Sequence, residues 1–159
     1  MVLEKKSYLV LKDKNRKKMA KTNGATACNG LDDYYTKATI GRHSFYIDEP
    51  EKAGGKDKSP SPTDYVLGAL ASCTAITMRM YAQRKGWEVG VIKVHAVFAP
   101  VMTADGIKQR IKKEVTFEKE LPQDQADRLL EIGEKCPVSK MLKTEVEMLM
   151  KQTGYADQG

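Results

Sequence analysis

The sequence predicts an α+β fold built on antiparallel sheet. A single long run without charged residues, from Tyr65 to Met78, has helical length, and it lies between short runs whose composition is typical of strands. The order of these runs shows no repeat of strand, helix and strand, so a parallel sheet is not indicated. The expected element order is βββαββααβ, and a length of 159 residues fits one domain, 1–159.

Three strands are predicted before the long helix. Leu3–Leu11 mixes Ser, Tyr and Val with Lys, which indicates a strand with one solvated face, and a loop of small and polar residues follows over Thr22–Asp33. Tyr34–Ile40 and Ser44–Ile47 then form a hairpin around the turn Gly41–His43. A polar connecting loop leads from this hairpin to the helix.

The long helix has clear signals at both ends. Ser61 suits the N-cap, Pro62 suits the first helical position, and Asp64 stands three residues after the serine, as in a capping box. The helix should continue to Lys85, with Gly86 as a left-handed terminator. Its length would then be about 36 Å.

Two strands, two helices and a last strand are predicted after the long helix. The strands cover Trp87–Ala99 and Gly106–Glu120, and the second alternates more regularly than the first. An amphipathic helix follows over Pro122–Lys135, and a short helical segment, Val138–Leu142, comes after it. The final strand is Thr144–Met150.

The composition of the long helix also predicts an assembly. From Tyr65 to Met78 the helix is apolar or small on all sides, so every face needs to be covered. Gly68, Ser72 and Ala75 form a stripe of small residues that lets another backbone approach closely. One sheet covers only one side of such a helix, and we therefore expect a second copy of the same helix in an isologous homodimer.

Charge and hydropathy narrow the functional classes. The net charge of +6 is concentrated in residues 1–21, which hold eight Lys or Arg against two acidic residues. Such a run can bind nucleic acid, but no aromatic interleaving or nucleic-acid motif supports it, and a solvated turn is expected instead. The longest uncharged run is 14 residues, whereas a membrane span needs about 20. Because the N-terminus lacks a secretory signal, we expect a cytoplasmic protein without membrane segments.

Three cysteines are the candidate reactive groups. Cys28, Cys73 and Cys136 form no Cys-x-x-Cys pair, and the only histidines are His43 and His95. Structural zinc sites use four ligands at short paired spacings, so no metal site is expected. In a reducing cytosol such distant cysteines are more often catalytic or inert than a permanent disulfide.

The settings of two cysteines differ in ways that matter for thiol chemistry. Burial of Cys73 on the apolar helix would raise its pKa. Arg79, six residues later, is turned by about 600° around that helix and so lies well off the face that carries Cys73. Cys136 precedes Pro137 at or next to a helix N-cap, where free N–H groups favour a thiolate. Each cysteine alone is also consistent with a structural role, so a redox pair and two inert residues both remain open. Cys28 lies in the predicted loop and is interpreted as incidental.

Two long motifs carry a family resemblance. The first is Gly54–Trp87, which contains Ser-Pro-Thr-Asp at the start of the helix and Cys73 within it. The second is Leu129–Ser139, which contains Cys136 followed by proline. In this order they resemble the signature of the OsmC/Ohr family, the osmotically inducible and organic hydroperoxide resistance proteins, and most closely its OsmC-like branch. The similarity extends over residues 34–150, whereas residues 1–33 are a basic N-terminal strand and loop.

The resemblance implies an intertwined homodimer in which antiparallel sheet wraps long central helices. It also implies a peroxidase that uses no metal or other cofactor, with Cys73 as the peroxidatic and Cys136 as the resolving cysteine. Cys73 would attack the O–O bond of an organic hydroperoxide and become a sulfenic acid, which Cys136 would convert to a disulfide. An external dithiol, which in the family can be a lipoylated protein, would then reduce that disulfide.

The sequence departs from the family pattern at the activating group. Family peroxidases place a glutamate ten residues before the reactive cysteine, where it partners an arginine, and here that position is Thr63. The nearest carboxylate is Asp64, which nine residues of helix place about 180° away from Cys73. Arg42 is the best match for the arginine, with Arg16 as a second choice. Without the glutamate we expect slow turnover.

Two functional interpretations therefore compete. The leading one is a dithiol hydroperoxide reductase, in which Cys73, Cys136, Arg42 and Asp64 are the candidate catalytic residues. The other is a non-catalytic member of the same family that senses redox state or binds a hydrophobic ligand, and the substitution at Thr63 is its main support.

Overall fold

The computed structural model describes residues 24–31 and 33–152. The chain separates into two compact units, Met1–Pro60 and Ser61–Gly159, and each is described by itself. The predicted strand Leu3–Leu11, the basic run 1–21 and the candidate Arg16 lie outside the described residues. The organisation as a single domain stays a prediction.

A three-stranded antiparallel sheet forms the described part of the first unit. Its strands are β1 (Ala25–Asn29), β2 (Thr36–Ile40) and β3 (His43–Ile47), in the order β1-β2-β3. The predicted hairpin is confirmed, but the interpretation of 22–33 as a loop is wrong, because β1 lies within it. All five residues of β1 are exposed, and the strand is held by its backbone pairing with β2. A strand of this kind shows no alternation of apolar and polar residues, so its sequence does not indicate it.

A buried carboxylate organises the loop after β3. Asp48 is 2% exposed and accepts hydrogen bonds from the backbone N–H groups of Glu49 (2.9 Å), Lys56 (3.2 Å) and Lys58 (3.1 Å). These bonds, led by the one from Lys58, hold the pKa of Asp48 below its ordinary value although burial acts against them. The loop, which contains the 3₁₀ turn Glu51–Ala53, is therefore fixed from within.

Helix α1 (Pro62–Lys85) begins and ends where its sequence signals predict. The Ser61 hydroxyl accepts from the Asp64 N–H, the Asp64 carboxylate accepts from the Ser61 N–H, and Gly86 is left-handed with φ 66°. The buried side chains recur every four residues and so form one stripe along the helix: Leu70, Thr74, Met78 and Ala82.

Two antiparallel pairs of strands follow α1. Strand β4 (Ile92–Phe98) pairs with β7 (Ile111–Phe117), and a small hairpin is formed by β5 (Val101–Thr103) and β6 (Gly106–Lys108). The predicted strand over Trp87–Ala99 begins too early. Gly90 has φ 62°, which is incompatible with a regular strand, so β4 begins only after it.

Helices α2 (Gln123–Glu134) and α3 (Pro137–Lys143) agree with the two predicted helices and pack against α1. Leu129 of α2 joins Met78, Ala82 and Val89 in the buried core, which is bordered by partly buried Tyr81, Trp87, Ile92, Val115, Phe117 and Leu121. The helices approach closely at Gly133, where an added Cβ would lie 2.2 Å from the Met78 Cε and 3.1 Å from the Thr74 Cγ2. Glycine at this position lets α2 and α3 lie directly on the buried stripe of α1.

The prediction of a final strand over 144–150 is wrong for this structure. The segment has no strand conformation, and every residue from 141 to 150 is exposed. Alternation places Val146, Met148 and Met150 on one side, but a strand forms only where a neighbouring strand pairs with its backbone. Within the described residues no helix is both long and apolar enough to cross a membrane.

Candidate functional site

Cys73 and Cys136 come together in the second unit although 62 residues separate them in sequence. Cys73 is half-buried on α1, and Cys136 is fully buried at the junction of α2 and α3. Both thiols are free, and the Cys73 thiol lies near enough to the Cys136 sulfur to contribute to lowering the pKa of Cys136. The packing of α2 and α3 on α1 therefore brings two reduced thiols close together.

Cys136 is the N-cap of α3. Its backbone is extended (φ −61°, ψ 148°), and its sulfur accepts a hydrogen bond from the Ser139 N–H at 3.3 Å. Pro137 occupies the first helical position, where an N–H is not needed, and the Cys136 carbonyl accepts from the Lys140 N–H. The sulfur thus takes the place of the oxygen acceptor that usually caps a helix, a position that favours negative charge.

Two hydroxyl groups complete the surroundings of the Cys136 sulfur. The Ser139 Oγ lies 3.1 Å from it, the Thr74 Oγ1 lies 3.5 Å from it, and both side chains are buried. Burial is the largest single influence and raises the pKa of Cys136, but the hydrogen bonds of Ser139, Thr74 and Cys73 together outweigh it and leave the pKa below its ordinary value. The structure therefore favours ionisation of Cys136.

A lysine lies behind Ser139. The Lys113 Nζ donates to the Ser139 Oγ at 3.3 Å and forms an ion pair with Glu134 at 2.8 Å, and its side chain is only 12% exposed. Glu134 also pairs with Lys143 at 2.8 Å. Hydrogen bonding to Lys113, and next to Lys143, holds the pKa of Glu134 below its ordinary value. A continuous set of contacts thus runs from a carboxylate through an ammonium and a hydroxyl to the sulfur.

This set of contacts borders an open cleft of about 330 Å³ in the second unit. Three kinds of side chain line it, namely apolar, amide or hydroxyl, and charged: Leu70, Ile111, Leu142, Gln109, Ser139, Lys113, Glu134 and Lys143. The cleft therefore offers apolar and cationic surface beside the helix that carries Cys136.

Asp64, the other predicted site residue of the second unit, is not among these contacts. Asp64 is exposed and its carboxylate accepts from the Ser61 N–H (3.0 Å) and the Ser61 hydroxyl (2.6 Å), which lower its pKa. Thr63 is exposed within 3.0 Å of the same hydroxyl. Arg42 is exposed in the turn between β2 and β3, in the first unit. Arg79 of α1 donates to the Gly90 carbonyl. Asp64 is thus engaged in capping α1.

The sequence analysis did not identify three residues that surround the Cys136 sulfur or contact Ser139: Thr74, Ser139 and Lys113. A signal existed for two of them. Ser139 is the third residue of a helix capped by Cys136, and the third N–H is the usual donor to a cap side chain. Lys113 stands at every second position of β7 together with the inward residues Ile111 and Val115, and a lysine is unexpected at such a position. For Thr74 the sequence offers only its place next to Cys73.

Sequence and structure comparisons show which known proteins this chain is similar to. A family model described as OsmC-like protein matches residues 55–151, and no curated protein sequence matches significantly. An organic hydroperoxide resistance protein from Elizabethkingia anophelis superposes with a TM-score of 0.61 at 19% identity, covering 82% of this chain and 94% of that one. The organic hydroperoxide resistance protein OhrB of Bacillus subtilis gives 0.55 at 21%, covering 77% and 90%.

An OsmC-like protein of unknown function from Vibrio cholerae gives a TM-score of 0.63 at 12% identity, covering 79% of this chain and 96% of that one. At these identities the structures establish a shared fold, and they confirm the fold expected from the two sequence motifs. Relatives named for hydroperoxide resistance and relatives of unknown function share it.

Proposed function

Because this chain belongs to the OsmC-like protein family, we propose that it is a thiol-dependent peroxidase that reduces organic hydroperoxides through Cys73 and Cys136. The observation that carries the proposal is the nearness of the two thiols, with the Cys136 sulfur at a helix N-cap where the Ser139 N–H and hydroxyl lie against it and its pKa is lowered. Structural neighbours named as organic hydroperoxide resistance proteins support the substrate class.

The reaction proceeds in three balanced steps. The Cys73 thiolate attacks one oxygen of the hydroperoxide, the O–O bond breaks, and the departing alkoxide takes a proton to become an alcohol while Cys73 becomes a sulfenic acid. The Cys136 thiolate then attacks the Cys73 sulfur, hydroxide leaves and takes a proton to become water, and a disulfide forms. An external dithiol reduces this disulfide and is itself oxidised to a disulfide.

The geometry supports the second step most directly. A resolving thiol needs to be ionised and close to its target, and Cys136 is hydrogen-bonded to Ser139 and Thr74 and lies near Cys73. Half-buried Cys73 is the more accessible of the two thiols, which suits the one that meets the peroxide. The apolar residues of the neighbouring cleft favour alkyl hydroperoxides over hydrogen peroxide.

The working unit in this proposal is a cytoplasmic homodimer. One side of α1 exposes Val66 (40%), Ile76 (58%) and Met80 (57%), and an added Cβ at Gly68 would meet nothing within 4 Å. An apolar helix face of this kind is energetically costly in water. A second copy of α1 would cover it, and Arg42 stays a candidate for the cation that activates Cys73.

The proposal is tested by the consumption of cumene hydroperoxide with dihydrolipoamide as the dithiol. Cys73→Ser should abolish consumption, whereas Cys28→Ser, which changes an exposed thiol on β1, should retain it. Cys136→Ser should stop multiple turnovers while leaving a sulfenic acid on Cys73. Full consumption by Cys73→Ser, or none by the unmodified protein, would contradict the proposal.

A second candidate is a non-catalytic member that binds a hydrophobic ligand. Thr63 replaces the glutamate of family peroxidases, Asp64 is engaged in the cap, and Arg79 is bonded to a backbone carbonyl. Absence of peroxide turnover together with saturable binding of a long-chain fatty acid would favour this candidate.

A further inference from the structure

Lys113 is the one charged residue at an inward position of β7, because the inward residues of this strand are Ile111, Lys113, Val115 and Phe117. Burying an ammonium group is costly unless partners compensate it. The Lys113 Nζ has two such partners, the Glu134 carboxylate at 2.8 Å and the Ser139 hydroxyl at 3.3 Å. The Glu134 carboxylate and the Ser139 hydroxyl therefore compensate a cation specifically at position 113.

The ion pair with Glu134 does not by itself explain why a lysine occupies this inward position of β7. Glu134 has a second cationic partner, Lys143, at the same distance of 2.8 Å, and the Lys143 side chain is 65% exposed. An exposed lysine on α3 thus already compensates this carboxylate. What Lys113 alone supplies is the contact with Ser139, whose oxygen and N–H both lie against the Cys136 sulfur.

We propose that Lys113 is a positioning residue for Cys136, which holds the Ser139 hydroxyl so that its hydrogen is donated to the sulfur when Cys136 is ionised. The inference rests on the proposed function, in which Cys136 acts as a thiolate.

The hydrogen-bonding capacity of Ser139 gives the mechanism. A hydroxyl has one hydrogen to donate and two lone pairs to accept with. While Cys136 is a thiol, it donates to the Ser139 Oγ, and the ammonium of Lys113 occupies the other lone pair. When the proton leaves Cys136, the Ser139 hydroxyl rotates and donates to the sulfur, while Lys113 still donates to the oxygen. Hydrogen bonds joined in this way strengthen one another, and an ammonium at the end adds its charge.

The effect matters at two points of the cycle. Before the disulfide forms, the thiolate of Cys136 needs to be populated while it awaits the sulfenic acid of Cys73. When the external dithiol attacks the Cys73 sulfur, the S–S bond breaks and its electron pair passes to Cys136, which leaves as a thiolate. A leaving thiol with a lower pKa departs faster. Lys113 would assist both steps without touching the peroxide.

The test is the titration of Cys136 in the reduced, full-length protein. Cysteine labelled with ¹³C at Cβ reports the ionisation of a buried thiol by NMR without requiring access for a reagent, and Cys28→Ser and Cys73→Ser assign the signals. Lys113→Met should raise the midpoint of Cys136 by about one pH unit, roughly tenfold in its ionisation constant. Lys113→Arg, which keeps the charge, should restore most of that change.

Glu134→Gln is the matched control, because it breaks the same ion pair from its other side. Removing an anion should lower the midpoint of Cys136, whereas removing the cation should raise it, so the two variants should have opposite signs. The titratable groups near this part of the site include Cys73 on α1, Glu131 and Glu134 on α2, Lys143 on α3 and Lys113 on β7.

A shift below about 0.3 pH units in Lys113→Met would overturn the proposal, as would equal shifts of the same sign in Lys113→Met and Glu134→Gln. If circular dichroism shows that Lys113→Met does not fold, the shift of the Cys136 midpoint in Glu134→Gln decides. A raised or unchanged midpoint in that variant overturns the proposal. Hydroperoxide consumption is measured separately. If the unmodified protein consumes no hydroperoxide but the Cys136 midpoint shifts as expected, the peroxidase proposal is refuted and the positioning role of Lys113 is supported. If hydroperoxide is consumed but the midpoint does not shift, the positioning role of Lys113 is refuted and the peroxidase proposal is supported.

Discussion

The close contact between α1 and α2 at Gly133, on the helix that precedes Cys136, can be tested by stability measurements. Substitution by alanine would place a Cβ 2.2 Å from the Met78 Cε and 3.1 Å from the Thr74 Cγ2. Carbon atoms pack at about 3.5–4.0 Å, so the Met78 methyl has to move by about 1.5 Å. Met78 is 1% exposed and packs with Ala82, Val89 and Leu129, so the movement disturbs these core contacts, and a cleft of about 210 Å³ that Met78 and Gly133 line takes up part of it.

Two effects oppose each other in Gly133→Ala. Overpacking of a core costs about 1–3 kcal/mol, and the better helix propensity of alanine contributes about 1 kcal/mol. We therefore expect the free energy of unfolding to fall by about 1 kcal/mol. Met78→Ala alone should cost about 2–5 kcal/mol, since it leaves a cavity. In that background Gly133→Ala should instead stabilise the protein by about 1 kcal/mol, because the methyl group fills vacant space.

The assay is urea denaturation at one fixed protein concentration, followed by the fluorescence of Trp87, which borders the same core. The double-mutant cycle should give a coupling of about 2 kcal/mol between Gly133 and Met78. Additivity within about 0.5 kcal/mol, or stabilisation by Gly133→Ala in the unmodified background, would refute the reasoning. It would mean that α2 does not approach α1 as closely as described.

Three further predictions concern the helix cap and the assembly. Ser61→Ala should lower the free energy of unfolding by about 1 kcal/mol in urea denaturation, because it removes the cap of α1, and an equal stability would contradict the capping box. The pKa of Asp64 is lowered by the side-chain and then the backbone hydrogen bond of Ser61. A carboxyl with a lowered folded-state pKa stabilises the protein above its unfolded value, 3.8, and loses that contribution as pH falls through the folded value. The melting temperature should therefore depend less on pH in acid for Asp64→Asn, and an unchanged acid slope would argue against the cap. Ile76→Glu, on the exposed face of α1, should convert a dimer to monomers in sedimentation velocity, whereas Thr116→Glu, at an exposed position of β7, should not. Equal behaviour of these two variants would exclude α1 from the interface.

The elements that sequence reasoning located correctly are those with local signals. Both ends of α1 follow from Ser61, Asp64 and Gly86, whose side chains or backbone act within one turn of the helix. Strand β1 and the segment 144–150 were misjudged in opposite directions for one reason. Pairing with another segment decides whether a strand forms, and neither composition nor alternation records that pairing.

The site shows the same division between local and distant contacts. Cys136 at a helix N-cap was expected because proline follows it directly. The contact of Cys136 with Thr74 and the link through Ser139 to Lys113 depend on how α1, α3 and β7 pack. Contacts between residues more than 20 positions apart are set by tertiary packing. For the link between Ser139 and Lys113, the trace in the sequence is a lysine among the apolar inward positions of β7.

The most direct measurement is peptide mass spectrometry without reduction, after one equivalent of cumene hydroperoxide and alkylation of the remaining thiols. If these cysteines form a working pair, the peptides containing Cys73 and Cys136 are recovered joined by a disulfide, and Cys28 is recovered alkylated. Recovery of both peptides alkylated and unlinked, or of Cys73 overoxidised with Cys136 unchanged, would contradict the account.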